Sequence, residues 1–486
     1  MKETGNTKQG SSYNSILKYT GLFGGVQVIN ILVGLVRNKL VSVILGPNGF
    51  GFVSLLNSTI KLLSDSTNFG ISFSAVRQIS DYYEHSDKAK LNHYIKVIRS
   101  WSLLAAFVGA FLCIVMAPLL NQWTFNWGNH TRHFMLLSPV VFLTAITGGE
   151  LAILKGTRRL KALAEVSVIN VVLALIISIP LLYFFEQKGI VPSLNLVALA
   201  ACIVTASYSY RFYPLRRGKE KFFADGLEMI RIGIFFTLAG IGGSCAEMFV
   251  RSYLNNVANL DVVGLYNAGY MICVTYAGMV FAAMETDFFP RLSALQHDIP
   301  GMNVTINHQI EVSLLVVGPM LVALIIGLPV AIPLLFSSKF VAVTPMAQVA
   351  ILAMFFHAID LPIEYVPLAK GDSLTFLVVE VIYDLVFVLM VVYGYQLWGL
   401  VGTGVALFAS HLLNCVAVVI FYHYKYKVTL SSRVVLISSV LITMGIAAYA
   451  VTLFFEDYAY WIVGIALTAV STIVSLRLYK RYSEAS

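Results

Sequence analysis

Residues 162–185 read ALAEVSVINVVLALIISIPLLYFF, a run in which Glu165 is the only charged residue. A helix of about 20 apolar residues crosses the ~30 Å hydrocarbon core of a bilayer, so this stretch predicts a membrane span. Working outward, similar runs recur along the chain. The expected spans are 16–45, 49–76, 97–120, 135–155, 162–185, 193–211, 229–256, 262–289, 308–336, 342–369, 373–395, 398–422, 433–454 and 458–477. Those longer than 25 residues imply tilt or extension past the headgroups. Of 486 residues, 58% are hydrophobic and 12% charged, against about 25% charged in a soluble domain. There are too few polar residues to coat water-facing domains of this length. The chain therefore predicts an all-α polytopic membrane protein with about fourteen transmembrane helices.

Lysines and arginines orient it. With an even number of spans both termini lie on one side, and 26 of the 33 basic residues fall on that side; Arg132, Lys188 and Lys339 are the three in the opposite loops. Basic residues mark the cytoplasmic face, so both termini are expected in the cytoplasm. The net charge of +8 follows from topology and does not point to nucleic acid. The first fifteen residues are polar and the first span carries Arg37 and Lys39, unlike the apolar core of a cleaved signal. Cys113, Cys202, Cys245, Cys273 and Cys415 all fall inside spans without CxxC spacing. They read as packing residues, and no metal, disulfide or other cofactor is expected.

The chain also repeats itself. Arg37 and Arg251 are 214 residues apart, Gly51 and Gly264 are 213, and Arg77 and Arg291 are 214. Lys155-Gly156 and Lys370-Gly371 are offset by 215, as are Glu165 and Glu380, nine residues past each glycine. An offset of six spans keeps both copies in one orientation, a parallel repeat about an axis along the membrane normal. The expected organisation is an N-lobe over 1–212 (spans one to six) and a basic linker over 213–228. A C-lobe follows over 229–422 (spans seven to twelve), then an additional helix pair and tail over 423–486. Two like-oriented six-helix lobes suggest a transporter with its path where the lobes meet.

Ionisable residues inside spans are costly and mark pathways or pairs. Gln27, Asn30, Gly34 and Arg37 share one face of span one, and Asn57, Lys61, Ser64, Asp65 and Asn68 form a stripe on span two. Glu247 and Arg251 are four apart on span seven, placed to pair. Arg37 has Val33 and Val41 at the corresponding positions, so its guanidinium must face water, an acid on another helix or an anionic ligand. Arg37, Lys61, Arg251, Asn30 and Asn57 are the expected substrate-cavity residues. Acids gather towards the inner ends of spans: Glu285, Asp287, Glu311, Asp360, Glu364, Glu380 and Asp384. Some fit ion pairs with loop cations, others proton carriage. Asp65, Glu247, Asp360 and Asp384 are the expected coupling or gating carboxylates, while His357 and His411 read as buried hydrogen-bonding residues.

Four stretches carry a family resemblance. Arg37-Asn38-Lys39-Leu40 through Leu45-Gly46-Pro47-Asn48-Gly49-Phe50-Gly51 resembles the first hairpin of polysaccharide (O-antigen-type, Wzx-like) flippases. These belong to the multidrug/oligosaccharidyl-lipid/polysaccharide (MOP) exporter superfamily. Gly70-Ile71-Ser72 with Ser74-Ala75-Val76-Arg77, Lys155-Gly156-Thr157-Arg158-Arg159-Leu160-Lys161-Ala162, and Val263-Gly264-Leu265-Tyr266 with Phe289-Pro290-Arg291 are similar too. The resemblance implies two six-helix lobes around a cationic cavity and alternating access. The implied substrate is an undecaprenyl-pyrophosphate-linked oligosaccharide moved from the cytoplasmic to the outer leaflet of a bacterial inner membrane, for O-antigen- or capsule-like polysaccharide. It further implies H+ or Na+ as coupling ion, and a polysaccharide polymerase and chain-length regulator as partners. Arg37, nine residues before Gly46, matches a cavity arginine of the related lipid II flippases, and the additional pair 433–477 is shared in number with them.

Two other readings stand beside this one. A cation-coupled drug antiporter of the same superfamily needs an acidic cavity, against which Arg37, Lys61 and Arg251 weigh. A membrane glycosyltransferase or polysaccharide polymerase needs a large outer loop or an acidic cluster at the membrane surface. The longest outer loop, 121–134, has no carboxylate. No glycine-rich nucleotide loop, metal spacing or nucleophile constellation is present, so a transporter rather than an enzyme is expected.

Overall fold

The computed structural model describes residues 6–85, 87–214 and 222–483. Helices account for nearly all of them, with no strand among the described residues. With no water in the hydrocarbon layer, helices satisfy every backbone group internally. Side chains mark several helix starts. Asp87, Asn259, Asp298, Asp372 and Ser431 each accept a hydrogen bond from the N–H three residues on, satisfying a donor the helix leaves orphaned.

Among the described residues, nine helices are long and apolar enough to cross a membrane, or ten if the bent pair Ser338–Ile351 and Ala353–Ala369 is one span. Three of the nine are interrupted: at Gly46 (φ 64°), at Glu186 (φ 47°) and at Trp398–Gly399 (Gly399 φ 57°). Two expected spans are broken where their apolar runs give no sign. Span two stops at Thr67 and resumes as Ile71–Glu84. Phe69 (φ 51°) and Gly70 (φ 74°) turn the chain there, and a Cβ on Gly70 would meet the Gly233 Cα at 3.1 Å. Span ten bends by 43° at Leu352, between helices Thr344–Ile351 and Ala353–Ala369.

By contacts the chain forms two units: 1–46 with 55–244, and 47–54 with 245–486. In the first, helix Ile71–Glu84 packs Ile71, Ala75 and Ile79 against Leu91, Ile98 and Trp101 of Lys88–Thr124, and against Ile153 of Ser138–Gly156. The outward faces carry Phe107, Phe111 and Ile176, well exposed, as suits lipid contact.

In the second unit, helix Ile299–Leu335 holds the last two helices. Asn303 donates to the Lys427 carbonyl (3.0 Å) and accepts from the Thr429 N–H (3.0 Å). Asn307, one turn on, donates to the Thr429 carbonyl (2.8 Å) and accepts from the Ser431 N–H (2.7 Å). Two asparagines thus read an extended segment as a neighbouring strand would. One further turn along, Glu311 pairs with Arg433 at 2.9 Å.

The segment 47–54 belongs to this unit through a close backbone crossing. A Cβ on Gly51 would lie 2.1 Å from the Leu260 carbonyl oxygen, and one on Gly264 would lie 2.0 Å from that of Pro47. Pro47 and Leu260, like Gly51 and Gly264, are 213 residues apart. Residues at one sequence offset therefore touch reciprocally within this unit. Small residues let membrane helices approach this closely. Gly51→Ala and Gly264→Ala are each expected to cost about 1–3 kcal/mol or more, read as a lower unfolding temperature in detergent. Gly25→Ala, with open space around its Cβ, is the silent control.

Candidate functional site

The polar face of span one lies along span five. Asn30 Nδ2 donates to Ser167 Oγ (2.7 Å) and Arg37 Nε donates to Ser178 Oγ (3.1 Å). Asn30 Oδ1 is buried without a protein partner. No carboxylate pairs with Arg37 among the described residues, so its outer guanidinium nitrogens stay available for an anion. On span two, Leu55, Leu56, Ser58, Thr59 and Ile60 are buried, whereas Asn57 and Lys61, one turn apart, are exposed. The open face of an otherwise buried transmembrane helix is thus amide and ammonium, which suits water and polar ligands rather than lipid. Asp65 accepts a hydrogen bond from Ser244. The Gln27, Glu285 and Asp287 side chains lie outside the described residues.

Arg251, the repeat-mate of Arg37, sits differently. It is 6% exposed. Its Nε donates to Ser54 Oγ (2.9 Å), Nη1 pairs with Glu247 Oε2 (3.2 Å) and Nη2 donates to Asn267 Oδ1 (3.2 Å); its guanidinium lies over the Tyr270 ring. The difference has a simple source. Glu247 stands four residues before Arg251, and Val33 four before Arg37. The expected Glu247–Arg251 pair therefore forms, and with it Arg251 becomes a helix-fixing residue inside the second unit.

Asp360 and Asp384 join a larger group in that unit. His357 Nδ1 lies 3.2 Å from Asp360 Oδ1, and Asn414 Nδ2 donates to both Asp360 Oδ2 (3.1 Å) and Glu364 Oε1 (2.7 Å). Glu380 and Asp384 sit one turn apart on the facing helix. Tyr383 and His411 are hydrogen-bonded at 3.2 Å, and the His357 and His411 rings are 5.6 Å apart. Asp360 is fully buried. Four carboxyl groups, two imidazoles and an amide thus gather inside one unit. An apolar cavity of about 350 Å³ shares Tyr383 and Asn414 with this group. At the repeat offset of 215, three of the four acids face Ala145, Gly149 and Ile169 in the first copy. The acid group of the second unit therefore has no like-placed counterpart in the first.

Sequence reasoning missed one buried pair. Arg99, counted among inner-face cations, reaches Glu150 with two bonds, Nε–Oε1 2.9 Å and Nη2–Oε2 3.1 Å. Nη2 also donates to Ser209, and the guanidinium lies 4.2 Å over the Tyr210 ring. The signal was available, since Glu150 is the one acid in span four.

Residues 16–296 match the model of the family described as polysaccharide biosynthesis protein. A membrane protein of Methanocaldococcus jannaschii is 22% identical over 306 residues, 58% of this chain and 59% of that relative. Among solved structures, an inward-facing multidrug-resistance transporter of the MOP superfamily superposes with a TM-score of 0.68 at 13% identity, over 84% of this chain and 98% of that one. The lipid II flippase MurJ, in an inward closed conformation, matches with 0.64 at 14% identity, over 96% and 99%. A MOP transporter from Pyrococcus furiosus, described as having a binding pocket of reversed polarity, matches with 0.60 at 12% identity, over 84% and 96%. At these identities the structural matches speak for the fold.

Proposed function

We propose that this chain, which belongs to the polysaccharide biosynthesis protein family, is a flippase for an undecaprenyl-pyrophosphate-linked oligosaccharide. The observation that carries the reading is the cationic face of the first unit: Arg37 without an acid partner among the described residues, with exposed Lys61 and Asn57. A pyrophosphate crossing a low-dielectric layer must replace its lost hydration. Guanidinium and ammonium donors do so with charge-assisted bonds, while Asn30 and Asn57 offer amides to sugar hydroxyls. The polyprenyl tail stays in lipid. The protein then works by alternating access in a cytoplasmic membrane with both termini inside, supplying glycan for surface polysaccharide assembly by a polymerase and its chain-length partner.

The acid group of the second unit is the coupling site in this reading, with H+ or Na+ neutralising Asp360, Glu364, Glu380 and Asp384 in one half of the cycle. Arg251 acts as a positioning residue. The test is flipping in vesicles: a fluorescent lipid-linked oligosaccharide is scored by access of a membrane-impermeant quencher, under a pH or sodium gradient. Wild type should flip the pyrophosphate-linked glycan under one gradient, and Asp360→Asn should lose the gradient dependence. Transport of lipophilic cations instead, with no glycan flipping, would make the chain a drug antiporter.

A further inference from the structure

The two halves of the chain differ at the turn joining the fourth span of each to its fifth. In the second copy this turn is Lys370-Gly371-Asp372, and Asp372 caps the helix that follows, accepting from the Thr375 N–H. Its carboxylate also binds Lys425 Nζ (2.8 Å) and Tyr426 Oη (2.7 Å), and Lys425 lies over the Tyr426 ring. Burial acts to raise the Asp372 carboxyl, yet hydrogen bonds from Lys425, Tyr426 and Thr375 hold it well below the usual carboxylate range. The turn is electrostatically complete.

In the first copy the capping position holds a cation in place of the carboxylate, and the aromatics remain. The residue capping helix Leu160–Phe185 is Arg159, which makes no side-chain cap bond. Its guanidinium lies 4.7 Å over the Phe212 ring and 6.0 Å over the Tyr213 ring at the end of the sixth span. Its Nε is buried without a hydrogen-bond partner, and no carboxylate pairs with Arg159 among the described residues. Lys155 and Arg158 are exposed around it, as is Lys161, which lies 3.8 Å from Glu165, and Arg158 is held at φ 52°. The bare helix start adds partial positive charge of its own.

We propose that this turn binds the phosphate of an anionic phospholipid in the leaflet on the side of the chain termini. That phosphate supplies the negative charge that Asp372 supplies in the other copy. Three features select this occupant. The turn joins spans four and five beside the end of span six, on the face holding most of the basic residues. Phe212, 38% exposed, offers apolar contact beside the cation. The missing group is one carboxylate, a single negative charge, which a phosphodiester matches and a pyrophosphate exceeds.

The test uses the full chain in nanodiscs containing phosphatidylglycerol with a photoreactive headgroup, and crosslinked peptides are mapped by mass spectrometry. Labelling should fall on 155–161 and 211–213. Each basic charge near an anionic headgroup is worth roughly five-fold in affinity. Arg159→Gln should therefore weaken labelling about five-fold, and Arg159→Asp about twenty-five-fold. Arg159→Asp also supplies the cap that Asp372 supplies, so the helix start is retained, and the elution profile of the purified variant reports its fold. Arg477→Gln, at the far tail, should change nothing at this turn. Equal labelling by a phosphatidylcholine probe would overturn the proposal, as would undiminished labelling of Arg159→Asp. Displacement by soluble pyrophosphate but not by phosphatidylglycerol vesicles would also overturn it, by making the turn a stop for the transported substrate.

Discussion

Arg37→Ala is expected to cut glycan flipping at least about a hundred-fold while the protein stays folded in the membrane. Two charge-assisted bonds to phosphate oxygens, at roughly 1.5–3 kcal/mol each, would be lost. Inside the protein the substitution breaks a single bond to Ser178. Arg37→Lys should recover part of the rate, since a point charge cannot make the planar two-point contact. Arg251→Ala is expected to behave in the opposite way. Arg251 is buried and bonded to Glu247, Ser54 and Asn267, so its removal breaks three side-chain bonds at once and costs roughly 1.5–3 kcal/mol or more. The symptom would be less folded protein. Flipping rate per folded molecule separates the two arginines. An Arg37→Ala protein that flips at the wild-type rate would remove the pyrophosphate reading.

Glu150→Gln is expected to be among the most damaging single changes outside the cavity. The Arg99 and Glu150 side chains are 12% and 3% exposed, and breaking a buried pair by neutralising one member costs about 3–5 kcal/mol, because the remaining charge has no compensation. The apparent unfolding temperature in detergent should drop sharply. Replacing both members, as Arg99→Met with Glu150→Leu, should cost far less than either single change, since two apolar side chains carry no stranded charge. If the double variant is as unstable as Glu150→Gln alone, the loss comes from packing against Ser209 and Tyr210 rather than from charge.

What the sequence determined by itself is what depends on solvent and local periodicity. Apolar runs of membrane length forced helices. The glycines at 51 and 264 stand at one helix crossing, where the backbones approach too closely for a side chain. Glu247 and Arg251 paired because one helical turn brings i and i+4 together.

Tertiary structure alone decided which polar residues are already satisfied. Arg37 and Arg251 look equivalent in sequence, yet the second unit surrounds Arg251 with Ser54 and Asn267, 197 and 16 residues away, as well as Glu247. Asp360 and Glu364 read as inner-end acids. Only the facing of helices 353–369 and 373–426 brings Asn414 onto both, alongside Glu380 and Asp384. The break at Phe69–Gly70 was equally hidden, because its cause is the approach of Gly233 and Thr237 from a distant helix. Hydropathy reports how each residue partitions between water and lipid. Pairing, close approach and the strain they impose depend on which helices become neighbours, and that is a property of the folded molecule.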